Sequence, residues 1–306
     1  MIPEFGAQDF EGLCTALYCL VDECYQPLAA RYDHRPGPAP ACSDSEVITL
    51  TLVAELWSMD EEVAFLAYMR RHWRALFPVL PERSRYNRRR RALQQVTAQI
   101  RRQVLRLLDL VQPLDTLWLI DSLPLPVVGF AHARGRHRWR GLASYGYNAA
   151  KKMTFYGFKL HLLATAGGLI LDFALAPAHL GDGTLTETLL RDKPAATVLG
   201  DKAYLNAPLQ AALRAEQELV LLTPTRANQR VQQNPALTPL ITHFRQAIET
   251  LNSQLSAQFQ IECNKAKSPD GLCARVQAKL TAHTVGMLLN ALAHRPPLAL
   301  KHFALI

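Results

Sequence analysis

The chain has 306 residues, about half of them hydrophobic, which gives room for one large domain or two modest ones with a substantial core and excludes general disorder. Lys plus Arg number 34 against 26 Asp plus Glu, and the formal charge of +8 suits a polyanionic partner such as nucleic acid. No apolar run reaches membrane-spanning length, no secretion signal is expected, and six cysteines without a C-x-x-C pair read as reduced thiols, not as a zinc site.

From the N-terminus to about Gln112 the pattern is helical. Ser43-Asp44-Ser45-Glu46 has the form of a capping box, and Ser58-Met59-Asp60-Glu61 repeats it, so two helices are expected to start there. Pro78 and Pro81 end the second. A run of arginines follows, Arg83, Arg85 and Arg88 to Arg91, and then a helix with Leu93, Val96, Ile100, Val104 and Leu107 in one stripe. Nine arginines and no acid lie between Arg83 and Arg106. With no acidic partner at helical spacing, like charges there repel, which favours a phosphate-contacting surface over a merely solvated face.

After a proline joint at Gln112-Pro113-Leu114 comes Thr116-Leu117-Trp118-Leu119-Ile120-Asp121, an apolar strand that runs into a carboxylate. Pro124 and Pro126 remove backbone donors and mark a sheet edge or a strand end. A basic loop with Trp139, Tyr145 and Tyr147 follows. Two strands, Phe155 to Ala164 and Leu169 to Ala176, are joined by Gly167-Gly168 and are expected to pair antiparallel. Ala196 to Gly200 is a second apolar strand delivering an aspartate, Asp201. Pro208 to Glu216 reads as a helix and Leu219 to Thr223 as a fifth strand. The helix from Pro239 to Phe259, with Thr238 placed to cap it, carries Arg245, Glu249, Asn252 and Ser256 in one row beside its core stripe. One more helix, from Gly271 to His294, closes the pattern.

Two adjacent parallel strands would bring Asp121 and Asp201 together, with Glu249 supplied by the helix packed on the same sheet. Convergent carboxylates repel unless a hard cation neutralises them, and Mg²⁺ or Mn²⁺ with oxygen ligands matches that need. Two ions about 3.5–4 Å apart at such a site activate the attacking oxygen and stabilise the leaving one.

On Ile120-Asp121-Ser122-Leu123-Pro124, Phe155-Tyr156-Gly157-Phe158-Lys159-Leu160-His161, Gly200-Asp201-Lys202-Ala203-Tyr204 and Arg245-Gln246-Ala247-Ile248-Glu249-Thr250, the chain resembles the DDE-type transposases of bacterial insertion sequences, which have an RNase H-like core. The likeness runs from about Asp115 to Lys279 and extends more weakly to Ser45-Glu46-Val47 and the arginine run. In related families the glutamate sits in a Tyr-x2-Arg-x3-Glu-x6-Lys signature. Arg245 and Glu249 match it, whereas Thr242 stands at the Tyr position and Ser256 at the Lys position. Gly181-Asp182 stands where a His-Asp pair is common.

The resemblance implies an α/β fold with a mixed five-stranded RNase H-like sheet flanked by helices. It would form a catalytic domain at 113–265, between a helical DNA-binding domain at 1–112 and a C-terminal helical segment at 266–306 packed on the core. It implies a transposase with Asp121, Asp201 and Glu249 as catalytic and metal-binding residues and two Mg²⁺ or Mn²⁺ ions per site. The rivals are a stand-alone RNase H-like nuclease and a DNA-binding protein derived from a transposase. The partners would be double-stranded DNA and a second copy in a homodimer, with no membrane, in the cytoplasm at the nucleoid. Arg83, Arg85, Arg88, Arg89, Arg90, Lys159, Lys202 and Arg245 are the expected DNA contacts. Tyr204 is a further candidate phosphate contact, and Trp139 and Tyr147 are candidates for stacking on unpaired bases.

Overall fold

A computed structural model describes residues 9–32, 38–128, 137–148, 151–224 and 238–304, without the side chains of residues 137, 238–240, 243 and 244. The chain divides into two compact units, residues 1–113 with 269–306, and residues 114–268. No helix among the described residues is long and apolar enough to cross a membrane.

The first unit is all helical: α1 (Phe10–Tyr32), α2 (Asp44–Leu56), α3 (Glu62–His72), α4 (Arg83–Ala92), α5 (Gln94–Val111) and α9 (Pro269–Leu292). The first capping box forms in full. Ser43 Oγ accepts from the Glu46 amide at 3.1 Å, and the Ser43 amide donates back to the Glu46 carboxylate. The second does not: Ser58 takes a left-handed conformation just past α2, and α3 starts four residues later at Glu62 with no side-chain cap. The C-terminal helix, expected on the catalytic core, belongs instead to this unit, where α9 packs against α5 and α2. Its residues are buried almost all round from Leu272 to Asn290, as suits the central helix of a bundle.

The second unit holds β1 (Leu117–Val128), β2 (Ser144–Asn148), β3 (Met153–Thr165), β4 (Ile170–Pro177), α6 (Thr186–Leu190), β5 (Thr197–Leu199), α7 (Ala207–Gln217), β6 (Val220–Leu222) and α8 (Thr238–Ala257). β4, β3 and β1 pair antiparallel, and β5 and β6 then join β1 in parallel. The two strands joined by Gly167-Gly168 are thus antiparallel, as expected, and the sheet has the order of an RNase H-like core. A sixth strand, β2, pairs with the first part of β3 where β4 pairs with the second, so the sheet is still five strands wide. The sequence had placed β2 in a loop.

β1 continues through both prolines, paired with β3 as far as Val128. β5 pairs with β1 only up to Leu119, so beyond that point one edge of β1 is open. The Pro126 carbonyl faces away from β3 and accepts from Asn264 Nδ2 at 2.6 Å, so the nitrogen of the same residue also faces the open side, where a missing donor costs no ladder bond. A register shift lies between Pro126 and Val128, and opposite it a Cβ on Gly157 would sit 2.3 Å from the Leu125 carbonyl oxygen. Only glycine fits there.

Strand alternation divides the sheet into two faces. Trp118, Ile120, Leu163, Val198 and Leu221 pack with α6 and α7 residues such as Leu189, Leu190 and Leu213 on one face. Leu119 and Asp121 therefore point to the other, where α8 lies against β1.

Candidate active site

Asp121, Asp201 and Glu249 line one cleft of about 170 Å³, together with Leu119, Leu199, Ile248 and Arg245. Each carboxylate reaches it from a different element. Asp121 is on β1 two residues after the pairing with β5 ends, and Asp201 lies two residues past β5. Glu249 projects from α8 beside Ile248, which the helix buries.

Their environments differ. Burial pushes the Asp121 carboxyl up to about 6, and the charges of Asp201 and Asp182 add to the effect. The Ser122 backbone and the Asn252 side chain act in the opposite direction, Asn252 Nδ2 donating to Asp121 Oδ2 at 2.7 Å. Asp201 is exposed, and its Oδ1 accepts from the Ala203 amide at 2.7 Å, capping the short 3-10 turn Lys202–Tyr204. Glu249 is 68% exposed and pairs with Arg245, one turn earlier, at 3.7 Å. The row of Arg245, Glu249 and Asn252 thus faces the cleft as its helical spacing required, and Asn252, which the sequence gave no role, touches Asp121.

All-oxygen donors with surplus negative charge fit a hard divalent cation. Among the described residues, however, no three His, Cys, Asp or Glu side chains are grouped closely enough to hold an ion. The carboxylates share the cleft without closing on one point, and Glu249 is turned to Arg245.

Below the sheet, under Asp121, lies a polar cluster that the sequence did not foresee. Asp182 Oδ1 accepts from Ser122 Oγ at 2.7 Å and from Lys159 Nζ at 2.8 Å, and the same ammonium donates to the Leu180 carbonyl at 3.0 Å. Burial raises the Asp182 carboxyl, but Lys159 and Ser122 more than offset this, and it lies below the usual carboxylate range. The expected DNA contact Lys159 is therefore tied down inside the unit. His161, opposite Ser122, is fully buried, and burial lowers its pKa from the usual histidine value. Its ring nitrogens have no hydrogen-bond partner among the described residues. Tyr204, a candidate phosphate contact, is instead a core residue whose hydroxyl is pushed up by burial and by Asp121, Asp182 and Asp201. Trp139 is likewise buried, edge-to-face with Phe158 at 6.0 Å, whereas Tyr147 is 62% exposed on β2. Lys202 is exposed beside Asp201, and Arg245 is 73% exposed in the cleft.

In the helical unit the arginine run has acidic partners after all. Glu62, only 6% exposed, pairs with Arg83 at 3.1 Å, Arg90 at 3.2 Å and Arg275 at 3.5 Å, and accepts from Asn87 Nδ2 at 2.6 Å. Arg89 pairs with Asp44 and donates to the Cys42 carbonyl. Nearby, the buried Lys279 meets Glu55 at 2.7 Å, and Arg275 meets Asp60 at 3.3 Å. Tyr86 and Arg90 are the buried residues of α4, Asn87 is half-buried, and Arg83 reaches Glu62 while staying 61% exposed; Arg85 and Arg88 are exposed as well. Of the five arginines expected on DNA, three are thus engaged in holding the bundle together. Their partners lie 21 to 47 positions away in sequence, beyond the reach of helical spacing rules.

The family model described as Transposase DDE domain matches residues 113–269, just over half of the chain. No curated protein and no solved structure gives a significant match. DDE transposases generally use divalent metal ions and act on DNA. The cleft with its three carboxylates lies inside the matched region, and the chain belongs to the transposases with a DDE domain.

Proposed function

We propose that this chain is the transposase of an insertion sequence, which cuts the DNA ends of its element and joins the freed 3′-hydroxyl to target DNA. The observation that carries the reading is the cleft in which Asp121, Asp201 and Glu249 meet within the DDE domain. A bound pair of Mg²⁺ or Mn²⁺ ions would supply activation of the attacking oxygen and charge stabilisation on the leaving one. Asp121 and Asp201 would hold both ions and Glu249 one, after its side chain leaves Arg245. Water attack on an end phosphodiester breaks the P–O3′ bond and frees a 3′-hydroxyl. That hydroxyl then attacks a target phosphodiester and displaces the target strand's 3′-oxygen, which leaves as a hydroxyl, so this second step keeps the number of phosphodiesters.

The surrounding residues have binding roles. Arg245, freed from Glu249, presents a planar guanidinium to a phosphate, and Lys202 offers an exposed ammonium beside Asp201. In the helical unit Arg85 and Arg88 contribute phosphate contacts, while Arg83, Arg89 and Arg90 hold the bundle. The active form is a dimer, because two element ends are handled in one event, and light scattering with end DNA that shows only a monomer removes this part of the reading.

A strand-transfer assay tests the whole. The donor is a plasmid carrying the gene with its own flanking DNA, the target is a second plasmid, and Mg²⁺ is present. Joined products are expected. Cutting without joining would make the chain a nuclease, and binding without cutting a DNA-binding derivative.

A further inference from the structure

The short segment between β4 and α6 reaches the neighbours of both cleft aspartates. Asp182 binds the hydroxyl of Ser122, which follows Asp121 directly, and is itself anchored by Lys159 on β3. The next residue, Gly183, lies so close to the 3-10 turn after Asp201 that a Cβ there would stand 3.0 Å from the Ala203 carbonyl oxygen. Asp201 caps that same turn through the Ala203 amide. One short piece of chain therefore touches the Asp121 segment with a side chain and the Asp201 segment with its backbone. It does so where support is otherwise thin, because β1 has lost its β5 neighbour after Leu119 and Asp201 lies beyond the end of β5.

We infer that Asp182 and Gly183 form a brace that fixes the placement of Asp121 relative to Asp201, with Lys159 and Ser122 as its anchors. Both are positioning residues and touch neither cation nor DNA. The inference rests on the reading of Asp121 and Asp201 as cation ligands. It reassigns Lys159 from DNA to the brace, and it gives a reason for a glycine at 183, where any side chain pushes the Asp201 turn away by a few tenths of an ångström. Asp182 also sits close enough to Asp121 to raise its carboxyl, and the Lys159 ammonium compensates that nearby charge.

The test is Mn²⁺ affinity of the intact protein, read by electron paramagnetic resonance, alongside duplex DNA affinity and the metal-free melting temperature. Asp182→Ala is expected to weaken Mn²⁺ binding about ten- to a hundred-fold, as loss of a residue that orients a ligand does, with DNA affinity unchanged. Gly183→Ala should weaken it in the same way. Asp182→Asn keeps an acceptor for Ser122 and Lys159 and should retain affinity to within about three-fold. If Asp182→Ala fails to fold, Ser122→Ala, which removes one hydroxyl, carries the test in its place. Wild-type Mn²⁺ affinity in both Gly183→Ala and the Asp182 or Ser122 alanine variant overturns the brace, and so does an Asp182→Asn variant as weak as Asp182→Ala. A wild type that binds no Mn²⁺ and matches Asp201→Ala in every readout removes the cation reading itself, an outcome distinct from loss of the brace alone.

Discussion

The arginine helix α4 and the carboxylate cleft each concentrate one sign of charge, and the chain around them answers differently. On α4, Arg83, Arg89 and Arg90 are met by Glu62 and Asp44, and the two acids are buried, Arg90 with them, while Arg83 reaches in from the surface. In the cleft, Asp121 is half-buried with two other aspartates raising its carboxyl and an amide as its side-chain donor, and among the described residues Glu249 alone of the three forms an ion pair. A charge cluster neutralised from within is scaffold, because its energy is already spent on folding. A cluster left with surplus charge needs something from outside, and that is where a site is to be sought.

The comparison breaks most visibly if Glu62 is truncated. Glu62→Ala leaves Arg83, Arg90 and Arg275 without their shared carboxylate, and loss of one partner from a buried ion pair costs about 3–5 kcal/mol. Urea denaturation should show that loss, while Arg85→Ala stays within about 0.5 kcal/mol of the wild type. A Glu62→Ala protein of wild-type stability would mean the network is not scaffold.

The opposite sign is expected in the cleft. The folded protein binds the Asp121 proton more tightly than the unfolded chain, with the carboxyl moved from 3.8 to about 6. Without metal, stability should therefore fall as pH rises from about 4 to about 6 and stay reduced above it, by on the order of 3 kcal/mol. Asp121→Asn should remove this slope and raise the metal-free melting temperature at neutral pH. Chelator-treated samples melted across the pH range check it, and a variant less stable than wild type at pH 7 contradicts it.

A smaller effect separates the two kinds of arginine. Arg88→Gln should flatten the slope of log DNA affinity against log salt by about one unit. Arg89→Gln should lower stability and leave the slope alone, since Arg89 is committed to Asp44. Equal slopes for both variants erase the distinction. The smallest effect is expected at Ser256, where related signatures have Lys. Ser256 Oγ donates to Glu262 Oε1 at 3.1 Å and is only partly exposed. A lysine introduced there meets Glu262 before any phosphate, so Ser256→Lys should change the affinity for end DNA by less than about two-fold.

Much of this was legible in the sequence, and the omissions have definite causes. The strands bearing Asp121 and Asp201 are continuous apolar runs, and the Glu249 row follows helical period, so elements and carboxylates could be placed from local pattern. β2 could not, because Ser144-Tyr145-Gly146-Tyr147-Asn148 has no buried apolar alternation. It is a strand by virtue of β3, with Gly146 so close to Ala178 that a Cβ would lie 2.7 Å from that residue's own. The position of α9 was hidden for a related reason, since a helix buried on all sides, with Arg275 and Lys279 among its buried residues, has no single apolar stripe to name its neighbours. The arginine partners and Asp182 are long-range contacts that no spacing rule reaches.

The central claim is that the three carboxylates act together on DNA, and the most direct test is cleavage of donor DNA in Mg²⁺ by Asp121→Ala, Asp201→Ala and Glu249→Ala against the wild type. The account predicts that each variant loses cleavage while keeping its fold and its affinity for the same DNA. An Asp201→Ala protein that cuts at the wild-type rate would contradict it.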